Sequence, residues 1–171
     1  MTFLYIRISF RVVRTPSFSY ICAMQVLNFP TYDFRFKNRE NKTYIFDPIR
    51  KKFIVLQPEE WVRQHVVQFL IREKNYPVSL INVEKELRVN QLKKRYDVVV
   101  FTSQGEITLV VECKAPSVRI TQETFDQVAR YNLALKAGFL MVTNGFRHYF
   151  CKLDYAREKY IFLEDIPSYS R

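Results

Sequence analysis

Two carboxylates and an amine, Asp97, Glu112 and Lys114, fall on what reads as a β-hairpin, and together they are the side chains a metal-dependent phosphodiesterase needs. One arm is Arg95-Tyr96-Asp97-Val98-Val99-Val100-Phe101, the turn is Ser103-Gln104-Gly105, and the other arm runs from Glu106 to Lys114. Strand side chains alternate between faces, so Glu112 and Lys114 project together while Cys113 points the other way. Asp97 and Glu112 can hold a hard cation such as Mg²⁺ (or Mn²⁺) through oxygen, with the Cys113 carbonyl as a further ligand, and such a cation lowers the pKa of a bound water. Lys114 then orients that water or neutralises charge building on phosphorus. Taken alone the spacing is weak, because 26% of the chain is charged and strands often end in charges that merely meet water. The neighbouring sequence strengthens it. Val98-Val99-Val100-Phe101 and Leu109-Val110-Val111 are unbroken apolar runs, as expected of central strands covered on both faces. A carboxylate at the end of such a strand is costly without a cation.

Residues Thr121 to Lys136 predict a helix with Thr121 as N-cap and acidic residues in its first turns. Phe125, Val128, Ala129 and Leu133 form its expected buried stripe. Gln127 and Tyr131 are four apart and share one helix face, where an amide and a phenol can position a water, a carboxylate or a phosphate oxygen. An isolated pair of this kind more often just borders a core.

The order of these residues resembles a known family. Asp97, then Val111-Glu112-Cys113-Lys114-Ala115-Pro116, then Gln127-Val128-Ala129-Arg130-Tyr131-Asn132, then Val142-Thr143-Asn144-Gly145, is similar to the N-terminal nuclease domain of the R (restriction) subunit of type I restriction enzymes, within the PD-(D/E)xK superfamily. The resemblance covers roughly Pro58 to Phe150 and begins near Met24. Tyr96 stands where the superfamily's proline would be. The resemblance implies a restriction-endonuclease-like α/β fold, a mixed central sheet flanked by helices with an αβββαβ core. It implies a Mg²⁺-dependent deoxyribonuclease, with Gln127 and Tyr131 holding the site's geometry or a DNA phosphate. It also implies a further acid from the helix before the core sheet, for which Glu60 is chosen over Glu59. Type I R subunits carry a helicase region after this domain and this chain has no motor motif, so the expectation is either a standalone relative acting on DNA or one that also acts with separate restriction-modification or helicase subunits. The alternative is a catalytically inactive nucleic-acid-binding or assembly module of the same fold.

The remaining elements fit that order. Pro58 suits a first helical turn, and Val62, Val66, Phe69 and Leu70 have the spacing of a core-facing helix. Thr43 to Phe46, an Asp47-Pro48 turn and Lys52 to Leu56 predict a flanking hairpin. Ile81 to Val89 reads as a strand, as does Gly138 to Thr143, which ends at the turn pair Asn144-Gly145. Arg147 to Lys152 and Tyr160 to Leu163 read as additional edge strands, and Pro167 to Arg171 as a tail.

With 171 residues, 48% of them hydrophobic, the chain suits a single domain over residues 24–171. The net charge of +10, from 27 Lys and Arg against 17 Asp and Glu, favours a polyanionic partner. Lys93, Lys94, Arg95, Arg119 and Arg130 are the candidate phosphate-binding rim. Residues 1–23 read as a non-core extension: Arg7, Arg11 and Arg14 interrupt any apolar span able to cross a bilayer, and Met24 reads as the start of the family-like sequence. Cys22, Cys113 and Cys151 have neither metal-ligand spacing nor the count of a disulfide scaffold, which points to a cytoplasmic protein. His65 and His148 are too few for a histidine metal site.

Overall fold

In a computed structural model, residues 25–89, 92–157 and 159–170 are described, the side chains of 88, 89, 92–94, 130, 131, 133 and 134 excepted. The expected extension over 1–23, and Met24, lie outside the described residues. In chain order the elements are β1 (Phe36–Arg39), β2 (Lys42–Asp47), β3 (Lys52–Val55), α1 (Pro58–Arg72), a 3₁₀ turn (Val78–Leu80), β4 (Ile81–Val89), β5 (Leu92–Phe101), β6 (Ile107–Cys113), α2 (Gln122–Leu135), β7 (Phe139–Thr143), β8 (His148–Asp154) and β9 (Lys159–Leu163). From α1 to β7 the order is helix, three strands, helix, strand, the expected αβββαβ core of an α/β fold.

The strands β4 to β9 form one sheet in sequence order. Only the β6–β7 pair is parallel, and α2 makes that crossover. Burial follows the alternation of the strands. Val98, Val100, Leu109, Val111 and Met141 pack with Val62, Val66, Val67 and Leu70 of α1. Val99, Val110, Leu140 and Val142 pack on the other face against Phe125, Val128 and Ala129 of α2. All the strand residues named here are completely buried, which explains why β5 and β6 read as unbroken apolar runs.

Several expectations are corrected. Strand β8 is not an edge, because it pairs with both β7 and β9; the edges are β4 and β9. The segment after β9 is not a free tail. Ile166 is buried in the α1-side core, the Tyr169 N–H donates to the Lys74 carbonyl at 2.7 Å, and the Tyr76 hydroxyl donates to the Pro167 carbonyl at 3.1 Å. On α1, Val67 is fully buried while Phe69 packs only partly against the core. The flanking hairpin gains a third strand, β1, giving a separate sheet in the order β1-β2-β3.

Residues 25–36 strap this small sheet to the nucleus of the fold. Asn28 N–H donates to the Gly145 carbonyl at 2.7 Å, and the Trp61 indole donates to the Gln25 carbonyl at 3.1 Å. Phe34 lies 4.9 Å from Trp61 and 4.7 Å from His65, ring centre to ring centre. His65 is therefore a buried member of an aromatic cluster, its Nδ1 bonded to the Trp61 carbonyl at 2.9 Å.

Candidate functional site

Antiparallel register brings the chemistry-bearing residues together. β5 and β6 pair Val98 with Val111, so one step further Asp97 stands across from Glu112. Lys114 Nζ donates to Glu112 Oε1 at 2.8 Å, as two residues on one strand face should, and Cys113 between them turns into the α1-side core. The Cys113 N–H donates to Asp97 Oδ2 at 2.7 Å, which ties the two strand ends directly. The Asp97, Glu112 and Lys114 side chains are partly exposed, at 14, 14 and 29%.

Asp97 sits where the β4–β5 ladder is irregular. Lys85 pairs with Tyr96 and Val83 with Val98, but Glu84 and Asp97 between them are unpaired, and Glu84 has φ of 54°. Tyr96 consequently packs on the α2 side while Val98, two residues on, packs on the α1 side. A left-handed residue inside a strand is strained. Its effect here is to bring the Glu84 and Asp97 carboxylates to Arg63 of α1.

They meet Arg63 there. This buried guanidinium lies 2.6 Å from Asp97, 2.8 Å from Glu84, 2.5 Å from Glu60 and 3.0 Å from Glu59. Burial opposes its charge, and Asp97 foremost, with Cys113 and Glu60, more than offsets that, so its pKa is raised. Lys114 follows the same logic: burial opposes the charge, while the hydrogen bond and charge of Glu112, then Asp97 and Glu59, raise its pKa. The Cys113 thiol is pushed well up by burial and by Asp97, so it is an unreactive strand residue.

Glu60, the expected helix acid, is turned inward. It accepts from Arg50 and Arg63, both at 2.5 Å, and from the Gln64 amide at 2.9 Å. Glu59 is the α1 carboxylate in the electrostatic neighbourhood of the trio: burial, then Asp97, raise its pKa, Arg63 and Lys114 lower it, and Glu112 raises it. Arg63 and Glu84 were not foreseen. A lone Arg on an apolar helix face and a lone Glu in an alternating strand carry little sequence signal, although a charge at a core-facing helix position does ask for a buried partner.

Gln127 is exposed on α2, and the Tyr131 and Arg130 side chains lie outside the described set. Of the expected phosphate-binding rim, Arg95 is exposed with its Nε 2.7 Å from Glu84, Arg119 is exposed, and the Lys93 and Lys94 side chains are not described. Among the described residues no group of three or more His, Cys, Asp or Glu is arranged to enclose a metal, and no helix is long and apolar enough to cross a membrane.

A mixed sheet between two helices, with Asp97 inside β5 and Glu112 and Lys114 at the end of the adjacent β6, defines an α/β domain with an acidic, lysine-bearing site. The chain belongs to the family described as type I restriction enzyme R protein N terminus, whose model matches residues 58–167. Among solved structures it is similar to a fragment described as an HsdR subunit of a type I restriction enzyme from Vibrio vulnificus, at 23% identity and a TM-score of 0.48, over 66% of this chain and 24% of that one. The chain thus spans about a quarter of that relative's length. No curated protein matches it.

Proposed function

We propose that this chain is a PD-(D/E)xK nuclease domain that hydrolyses DNA phosphodiester bonds with Mg²⁺ or Mn²⁺ held at Asp97 and Glu112. The observation that carries this reading is the register that sets Asp97 across from Glu112, with Lys114 bonded to Glu112. The donor set fits the cation. Mg²⁺ keeps several waters and takes one or two carboxylates, so a partly exposed pair of carboxylates on adjacent strands suits it better than a closed cage would. Charge balance favours the same ligand: Glu59, Glu60, Glu84, Asp97 and Glu112 share Arg50, Arg63, Arg95 and Lys114, and Arg50 also serves Asp47.

When bound, such a cation activates water and neutralises phosphate charge. The chain's own residues do the rest. Asp97 is fixed in advance, Oδ1 by Arg63 and Oδ2 by the Cys113 N–H, and each oxygen keeps acceptor capacity. Lys114, protonated and anchored on Glu112, donates to the attacking water or to a phosphate oxygen. Glu59 rather than Glu60 serves as the further acid from α1. Gln127 and Tyr131, with Lys93, Lys94, Arg95, Arg119 and Arg130, remain the proposed contacts to DNA. Family membership supports DNA and other restriction-modification or helicase subunits as partners.

The test is direct Mn²⁺ binding to the metal-free protein, followed by electron paramagnetic resonance. The wild type should bind, and Asp97→Asn and Glu112→Gln should each weaken binding at least tenfold. A wild type without affinity, or variants that bind as it does, would replace this reading with the inactive binding or assembly module.

A further inference from the structure

A second concentration of positive charge lies on the small sheet of β1 to β3, outside the residues of the carboxylate site. Residues 35–52 hold seven Lys and Arg against two acids, Glu40 and Asp47, a net of five within a chain whose total is +10. One of the two acids is taken out of play: Asp47 is fully buried and its carboxylate accepts from the Ile49 and Arg50 N–H groups and from Arg50 Nε.

The register sorts four of the seven cations onto one face. Lys37 pairs with Tyr44, Arg39 with Lys42 and Phe46 with Phe53. Alternation therefore puts Arg35, Lys37, Arg39 and Lys42 on the same side as Tyr44, Phe46 and Phe53. The opposite side carries Phe36 and the fully buried Ile45, and it is held against α1, with Phe36 and Trp61 rings 6.3 Å apart. On the outer face the cations already sit over the rings. Arg35 lies 4.5 Å from the centre of Phe46, and Lys37 lies 4.4 Å from that of Phe53 and 5.5 Å from that of Tyr44. These basic side chains are exposed and the three rings half-buried.

Two features of this face run against stability. Arg39 and Lys42 are like charges placed directly opposite each other, a destabilising pair, with Arg39 also 2.9 Å from the exposed Glu40 carboxylate, a solvent-screened contact of small worth. The two residues between them, Glu40 and Asn41, both have left-handed backbone, at φ of 50° and 58°, so the tight turn that enforces that juxtaposition is itself strained. A polyanion relieves the repulsion.

We propose that the outer face of β1 to β3 binds a single-stranded stretch of DNA, the four cations contacting phosphates and the Phe46, Phe53 and Tyr44 rings stacking on unpaired bases. Basic side chains interleaved with aromatic rings are what strand binding without sequence preference uses, and here the rings are half-buried. The face lies outside residues 58–167, the part matched to the family. It is nevertheless rigidly tied to the carboxylate site, since Arg50 after β2 bonds Glu60, Glu60 bonds Arg63, and Arg63 bonds Asp97. The inference rests on the reading of this chain as DNA-acting and extends it: a strand held on this face is anchored beside the proposed cleavage site.

The test is fluorescence anisotropy of a labelled oligo-dT with the full chain in EDTA, where the proposed hydrolysis is silent. Binding should be seen, and Lys37→Gln with Lys42→Gln should weaken it about tenfold and reduce the slope of log affinity against log salt by about 1.4, at roughly 0.7 per phosphate. Phe53→Leu, which keeps apolar bulk but removes the ring, should weaken oligo-dT several-fold and leave blunt duplex unchanged. Lys152→Gln with Lys159→Gln, an equal charge loss at exposed positions on β8 and β9, should leave oligo-dT affinity intact. The inference is overturned if the β8–β9 pair weakens binding as much as the β1–β2 pair, or if oligo-dT does not bind. Either result leaves the Mn²⁺ test of the carboxylate site unaffected, so the two readings fail separately.

Discussion

Arg63 organises the site from behind. Its two terminal nitrogens serve Glu59, Glu60, Glu84 and Asp97, and only a planar fork with several donors can do this. Removing it strands buried carboxylates, so Arg63→Met should lower unfolding free energy by on the order of 3–5 kcal/mol in urea denaturation. A loss under about 1 kcal/mol would mean that the four contacts contribute little. His65 makes a second prediction, in pH. Burial lowers its pKa from 6.5 to about 4, against the raising effect of the hydrogen bond that its Nδ1 donates to the Trp61 carbonyl. The unfolded chain then binds more protons than the folded one between those values, so stability should fall as pH drops from 6.5 toward 4. The full contribution is on the order of 3 kcal/mol at about 1.4 kcal/mol per pKa unit. His148, whose pKa burial also lowers, adds in the same direction. Chemical denaturation of wild type and His65→Gln at pH 7 and pH 4.5 should show a smaller loss in the variant; parallel losses contradict the assignment.

At the scale of elements, local rules carried most of the fold. The helix over 122–135 with its Thr121 cap accepting from the Thr124 N–H, and the strand over 81–89, follow from capping and period-2 patterning. The convergence of Glu112 and Lys114 was legible for the same reason. What was not legible depends on partners distant in sequence: β1, whose exposed polar residues lack a strand's pattern, the packing of residues 164–170 onto α1 and its following loop, and the inward turn of Glu60 toward Arg50, ten residues before it. Choosing between Glu59 and Glu60 required knowing which face of α1 meets β5, and that is a tertiary fact. Lys136 offers an element-scale test. It ends α2 in a left-handed conformation at φ of 56°, which glycine adopts without strain. Lys136→Gly should therefore raise stability by several tenths to about 1 kcal/mol. Destabilisation in a thermal melt would show that the lysine side chain itself holds the helix end.

For the whole molecule, two sheets and one ion-pair chain make a single argument. The six-stranded sheet supplies the central strands β5 and β6 that carry Asp97, Glu112 and, directly after β6, Lys114, and α1 braces Asp97 through Arg63. The basic three-stranded sheet is joined to the same helix through Arg50 and Glu60. The basic outer face and the carboxylate site are thus carried on one frame, an arrangement that can attract a polyanion toward a site for a cation. The central claim is hydrolysis, and the most direct measurement is cleavage of labelled linear and single-stranded DNA with Mg²⁺ or Mn²⁺ by wild type, Asp97→Ala and Lys114→Ala. Wild type should cleave. Asp97→Ala should lose both cleavage and Mn²⁺ binding, whereas Lys114→Ala should keep the metal and lose cleavage by a factor on the order of a hundred or more. A folded wild type that binds Mn²⁺ and DNA yet cleaves with neither metal would contradict the account.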